Sequence, residues 1–307
     1  MGAPGAPTNS QVMNAVTDAT SAGGPVRSLS RWLHGKQRVQ VAALAGAPAL
    51  WMAVLYAGSL FALFVTSLYT LSEDGAHIEH TLSFDNYHEI LTEQVYRDVA
   101  FRTLKIAVLV TVIDIVLALP IAFYMAKIAK ARWRNLLVAA VLVPLWGSYL
   151  VKAFAWRAIL GKPGGLFDWI WPPLAPGYGQ VALVIVLAYL WLPFMIIPIY
   201  AGLERLPDSL LEASSDLGAR FGPTYRRVVF PMLLPSIVAG SVFTFSLTLG
   251  DYIAVGLVGG KTQMIGSIVY SNFASNLPLA SAYAVVPVLI MIVYLLSIRR
   301  TGALDNL

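Results

Sequence analysis

Apolar residues run through this chain in long blocks that exclude formal charge. No Lys, Arg, Asp or Glu occurs at 39–72, Ile115–Ala126, Asn135–Val151, Trp169–Leu203, Val228–Gly250 or Thr262–Ile298. A helix crossing a bilayer needs roughly 20 mostly apolar residues, and most of the blocks are that long. The pattern predicts six spans, at about 43–70, 99–126, 135–155, 179–203, 233–256 and 279–298. The predicted fold is an all-α, polytopic membrane protein: a membrane domain over 41–300, with tails at 1–40 and 301–307. A transmembrane β-barrel would show alternating segments of about ten residues, and no such alternation is present. Met1–Gly24 is rich in Gly, Pro, Ser and Thr and has no apolar stretch behind a basic head. It therefore reads as a disordered tail rather than a cleavable signal peptide.

Composition sharpens the class. The 307 residues are 58% apolar and 12% charged, with no cysteine and a formal charge of +5. These values exclude a soluble enzyme, a disulfide scaffold and a nucleic-acid binder. The basic residues report topology instead. With the N-terminus cytoplasmic, the inner segments hold fourteen of the 21 Lys and Arg: Arg27, Arg31, Lys36, Arg38, Lys127, Lys130, Arg132, Arg134, Arg205, Arg220, Arg226, Arg227, Arg299 and Arg300. The positive-inside rule then places both termini inside. The first outer loop, Leu71–Asp98, is acidic and is read as meeting an external partner. Arg27–Gln40, with Leu29, Trp32 and Leu33 among basic residues, reads either as a surface-lying amphipathic segment or as a flexible basic tail.

The connection between the fourth and fifth spans, 204–232, is long and ordered in pattern. Asp208 or Ser209 can cap a helix, Leu210, Leu211, Ala213, Leu217 and Phe221 follow at helical spacing, and Asp208, Glu212 and Asp216 share one face. Gly218 and Gly222 interrupt it, and Pro231 and Pro235 bracket the fifth span. Glu212-Ala213-Ser214-Ser215-Asp216-Leu217-Gly218-Ala219, then Val228-Val229-Phe230-Pro231 and Leu234-Pro235-Ser236-Ile237, resembles the EAA loop of permease subunits of binding-protein-dependent ATP-binding-cassette (ABC) importers. Ser214 stands where that pattern has Ala, and Ser236 where it has Gly. The resemblance implies the type I importer permease fold, with a coupling helix docked on a cytoplasmic ATPase through Glu212, Ala213, Asp216, Leu217, Gly218, Ala219 and Pro231. An ordinary amphipathic connector is the plainer alternative.

Further stretches resemble the polyamine (spermidine/putrescine) group of these permeases: Val143–Trp156 with Ile159-Leu160-Gly161, Leu192–Tyr200, and Leu249-Gly250-Asp251-Tyr252 with Gly259-Gly260 and Met264-Ile265-Gly266. The group also includes carriers of other amines, amino-acid-like compounds and ferric iron. The resemblance implies a second homologous permease, two ATPase subunits that bind the ATP and Mg, and an external substrate-binding protein in a bacterial inner membrane. This chain itself would hold no cofactor.

The residues add a charge argument. A carboxylate within a span costs about 2.5–3.5 kcal/mol on insertion scales and normally faces a cavity or a partner. Asp114 falls mid-way along the second span and Asp251 toward the outer half of the fifth. A cation would be drawn by these acids and by ring faces, with Trp146 and Tyr252 the pathway candidates among Trp146, Trp156, Tyr189, Trp191 and Tyr252. Asp114 reads equally as a partner for a neighbouring helix, and rings near span ends also serve as interfacial belts. Gly259-Gly260-Lys261-Thr262 lacks the earlier glycine of a phosphate loop, where Val255 stands. His77, Glu79 and His80 are too few for a metal site. No catalytic set is present. An ion-coupled carrier would predict internal repeats with broken helices, and none is evident.

Overall fold

The computed structural model describes residues 45–299 except 47, 73, 76 and 217. The readings of both tails, of Arg27–Gln40 and of Leu217 fall outside the described residues. The chain divides into two units between Ala62 and Leu63. In the first, α1 (Pro48–Ser67, which runs into the second unit) is long and apolar enough to span a membrane.

The second unit opens with a two-stranded antiparallel hairpin, β1 (Thr70–Leu71) and β2 (Ile78–Glu79), Thr70 opposite Glu79. A short helix, α2 (Asp85–Thr92), follows. The spans proper are α3 (Gln94–Ile128), the pair α4 (Ala131–Trp146) and α5 (Tyr149–Leu160), α7 (Gln180–Arg205), α9 (Gly222–Leu249) and α12 (Leu277–Arg299). Between them lie α6 (Leu166–Ile170), α8 (Asp208–Asp216), α10 (Ile253–Val258) and α11 (Ile265–Asn272).

Two predicted spans need correction. The segment at 135–155 is two helices meeting at 96°. Pro144 removes one helical N–H, and Gly147 leaves the helix at φ −69°, ψ 139°. Lys152 Nζ then donates to the freed Pro144 carbonyl at 3.0 Å, which stabilises the bend. The fifth span starts earlier and ends earlier than predicted. Gly222 begins α9 rather than interrupting a helix, and Pro231 and Pro235 lie inside it, downstream of a π turn at Tyr225–Val229. The helix stops at Leu249, so Asp251 stands in a break before α10, not within the span.

The core forms where α7 packs against α3 and α9. Ile106 and Val110 of α3 share one cluster with Leu183, Leu187 and Leu190 of α7. Ala118, Ala122 and Met125 share a second with Met195, Ile199 and Leu203, closed by Leu233 and Ile237 of α9. Most of these spacings are four, which matches ridges running along i, i+4. Gly240 makes the α7–α9 approach possible: a Cβ there would lie 2.7 Å from Met195 Sδ.

Candidate functional site

Three places carry the predicted residues. The first is the break after α9. Asp251 is only 7% exposed. One carboxylate oxygen accepts from the Ala254 N–H at 2.9 Å, in the manner of an N-cap for α10. The other accepts from the Tyr149 hydroxyl, whose oxygen in turn accepts from the Ala254 N–H at 3.2 Å. Gly266 brings α11 against this break, since a Cβ there would meet Gly250 O at 2.6 Å and Asp251 O at 2.8 Å. The start of α11 is tied to α3, Ile265 N–H donating to Thr103 Oγ1 at 3.0 Å. Asp251 is thus a fixed carboxylate, held by groups 3 and 102 residues away.

Rings surround it. Tyr252 is 40% exposed and stacks on Tyr270, with centroids 4.7 Å apart. Tyr149 stacks on Trp191 at 5.8 Å, Trp191 meets Phe194 at 6.0 Å, and Phe194 meets Phe243 at 6.3 Å. A row of aromatic rings therefore leads from the Asp251 break along α7 to α9. Trp146 stands at the bend between α4 and α5 and is 91% exposed. Trp156 and Tyr189 pack edge to face on each other at 5.2 Å.

The second place is mid-way along α3. Asp114 is fully buried, and both its oxygens lack a hydrogen-bond partner, as does Trp191 Nε1. On α3, Val110, Asp114 and Ala118 follow at intervals of four; on α7, Leu187, Trp191 and Met195 do the same. Val110 and Leu187 share the first core cluster, Ala118 and Met195 the second. An unpaired acceptor and an unpaired donor therefore occupy the same level of two packed ridges. No hydrogen bond joins Asp114 to Asp251; Tyr149, which holds Asp251, stacks on Trp191.

The third place is the connection after α7. α8 presents Glu212, Ala213 and Asp216 on its exposed side. Gly218 has φ +74°, and the Ala219 N–H bonds back to the Ser214 carbonyl at 3.1 Å. Together these are the left-handed glycine and the six-to-one bond of a Schellman stop. The Ser214 hydroxyl bonds Thr224 Oγ1 at 2.8 Å, fastening α8 to the start of α9. Pro231 is exposed, on the second turn beyond Thr224. Lys127, in the last turn of α3, reaches the other end of α8 through Leu206 O and Asp208 Oδ1.

Tyr149 and Lys127 are the site residues that sequence reasoning passed over. Tyr149 lay within a quoted motif and Lys127 counted only as topology charge; no local spacing connects either to a partner so distant in the chain. Among the described residues no three His, Asp or Glu side chains gather as a metal site would require.

Comparison with known proteins agrees with this architecture. The inner membrane ABC transporter permease protein YdcU of Escherichia coli (strain K12) is 40% identical over 280 residues, covering 85% of this chain and 89% of that protein. The spermidine/putrescine transport system permease protein PotB of Haemophilus influenzae is 30% identical, covering 80% of this chain and 88% of that one. The crystal structure of a bacterial ABC transporter involved in import of the acidic polysaccharide alginate shares the fold, with a TM-score of 0.67 at 15% identity over 89% of this chain and 98% of that one. The family described as binding-protein-dependent transport system inner membrane component matches residues 99–301. With more than half of its length matched, the chain belongs to that family, as a non-catalytic permease subunit of an ABC importer.

Proposed function

We propose that this permease forms half of the pathway for a small organic polycation of the spermidine/putrescine class. The observation that carries the reading is the Asp251 break: a fixed carboxylate at the end of a span, held by the Tyr149 hydroxyl and followed in the chain by Tyr252, which stacks on Tyr270. A carboxylate offers charge to an ammonium group and the rings offer cation–π faces. The spermidine/putrescine permease PotB among its relatives supports the same cargo. Asp114, deeper along α3, and Trp146, at the α4–α5 bend, line the remainder of the route in this reading.

Completing the importer are a second, homologous permease, two cytoplasmic ATPase subunits and an external binding protein. ATP and Mg are held by the ATPases. Both termini lie in the cytoplasm, as the distribution of Lys and Arg supports. α8 is the coupling helix: its exposed face, bearing Glu212, Ala213 and Asp216, docks on the ATPase, and Gly218 with Ala219 turns the chain back into α9. Closure of the ATPases moves α8 and opens the Asp251 end. Substrate binding shifts this equilibrium only through different affinity for the two states. Near Asp251, that difference arises when an ammonium group replaces the Tyr149 hydroxyl on the carboxylate.

The test is uptake of labelled spermidine and putrescine by cells lacking this gene, complemented with wild type or Asp251→Asn. Asn keeps the size and one oxygen for the Ala254 N–H, while its NH2 group takes the place of the oxygen that accepted from Tyr149 and would donate to the Tyr149 oxygen instead, so the charge is removed. Uptake restored by wild type and reduced at least tenfold by Asp251→Asn, at equal membrane levels, supports cargo and carboxylate together. Equal uptake by both removes Asp251 from selectivity. No uptake with wild type, while the ATPase copurifies, discards the polyamine and leaves another solute of the same importer group.

A further inference from the structure

The structure ties the coupling helix to a span to which it is not adjacent in the chain. Lys127 Nζ donates to the Leu206 carbonyl at 2.7 Å and to Asp208 Oδ1 at 2.6 Å, across 79 and 81 residues. Leu206 and Pro207 are the only residues between the end of α7 and the start of α8, so the ammonium group sits on the hinge itself. The Lys127 side chain is 10% exposed and that of Asp208 75% exposed. The ion pair is therefore open to water and salt, where such pairs count for little. The bond to Leu206 is sheltered and satisfies a carbonyl just beyond a helix C-terminus, where a cation is favoured.

We infer that Lys127 is a positioning residue that couples movement of α8 to α3. Through the covalent chain, α8 is joined to α7 by the Leu206-Pro207 hinge and to α9 by the Gly218 turn. Lys127 adds α3, so the three helices that build the core receive the displacement together. Lys127 also lies in the π turn Tyr124–Ile128, one such turn set into the end of a long α-helix. Such turns often mark functional points in helices, and this one ends α3 at the hinge. Asp114 is thirteen residues up the same helix, beyond the π turn and Pro120, so a shift at the hinge is passed along α3 toward the level of the unpaired Asp114 and Trp191.

This inference rests on the reading of α8 as the coupling helix, and the experiment separates the two. The complete importer, reconstituted in proteoliposomes with its binding protein, would be assayed for ATP hydrolysis and for substrate transported per ATP. Variants are Lys127→Met, Lys127→Arg and, as a control on α8, Gly218→Arg. Lys127→Met is expected to copurify with the ATPase and keep hydrolysis, while transport per ATP falls at least tenfold and hydrolysis loses its response to loaded binding protein. Lys127→Arg, which keeps charge and donors, should restore most of the ratio. An unchanged ratio in Lys127→Met overturns the inference. Loss of the ATPase from Lys127→Met also overturns it, since the tie would then serve assembly. If Gly218→Arg retains both ATPase and ratio, it is the coupling-helix reading that fails, whatever Lys127 does.

Discussion

At the scale of single residues, the two departures from the importer loop pattern have structural counterparts. Ser214 supplies the hydroxyl that fastens α8 to Thr224. Ser236 faces Gly202 on α7, where an added Cβ would lie 2.2 Å from Ser236 Oγ and 2.9 Å from Ser236 Cβ. The bulk that Ser236 brings to α9 is accommodated by the absence of a side chain on α7. Gly202→Ala should therefore destabilise the folded protein by about 1–3 kcal/mol, the usual cost of overpacking. Adding Ser236→Gly should recover most of that loss, because the two closest contacts are then gone and only Leu233 Cδ2, at 3.2 Å, remains. Thermal unfolding in detergent of the two single variants and the double variant measures the coupling; additive effects would show that the helices can separate freely at this crossing. The Gly218 backbone, at φ +74°, carries a related expectation. Gly218→Ala places a Cβ in the left-handed region at a cost of about 1–2 kcal/mol, loosening the α8 stop while leaving the spans intact. Reduced copurification of the ATPase at unchanged membrane level would be its signature.

At the scale of elements, long apolar runs were sufficient to find the spans, because length and absence of charge are what a bilayer demands. They were not sufficient to find the bend in the third. Pro120, Pro193, Pro198, Pro235 and Pro287 all lie inside helices; so does Pro144, yet its helix ends three residues later, at Gly147. A proline alone therefore does not mark the break. What separates this case is an extended glycine close behind and a lysine side chain, Lys152, able to return to the freed carbonyl. The Asp251 site was legible only in part. Its acid and neighbouring tyrosine stand together in the chain, but the Tyr149 hydroxyl that holds the acid comes from a helix 102 residues earlier. Asp114 was legible as an anomaly, a charge inside a span, while its level with Trp191 emerged only from ridge packing. An unpaired polar group in such surroundings costs about 1–3 kcal/mol even by the modest scale of protein mutations. Asp114→Leu should consequently raise the unfolding temperature, and, if Asp114 serves the pathway, lower uptake at the same time. A fall in stability would instead mean that the carboxylate is paired in the assembled importer.

At the scale of the whole molecule, orientation and coupling make one connected claim. The Asp251 break, the Tyr252–Tyr270 stack and the α4–α5 bend lie at the ends of spans opposite to Lys127, α8 and the start of α9, because α3 and α7 run from the first group of ends to the second. In the proposed orientation, which the distribution of Lys and Arg supports, the Lys127 end faces the cytoplasm. The absence of cysteine from all 307 residues allows this to be tested with single introduced thiols. Tyr252→Cys and Glu212→Cys both replace exposed side chains at the two ends. In intact spheroplasts a membrane-impermeant maleimide should label Tyr252→Cys and leave Glu212→Cys untouched. In inside-out vesicles stripped of the ATPase the preference should reverse, and returning the ATPase should protect Glu212→Cys. Labelling of Glu212→Cys from the outside would invert the topology, and with it the assignment of α8 to a cytoplasmic partner. Correct sidedness without protection would keep the topology and remove Glu212 from the docking face. Those two results fail at different steps, so the experiment distinguishes where the chain lies in the membrane from what the connection between α7 and α9 touches.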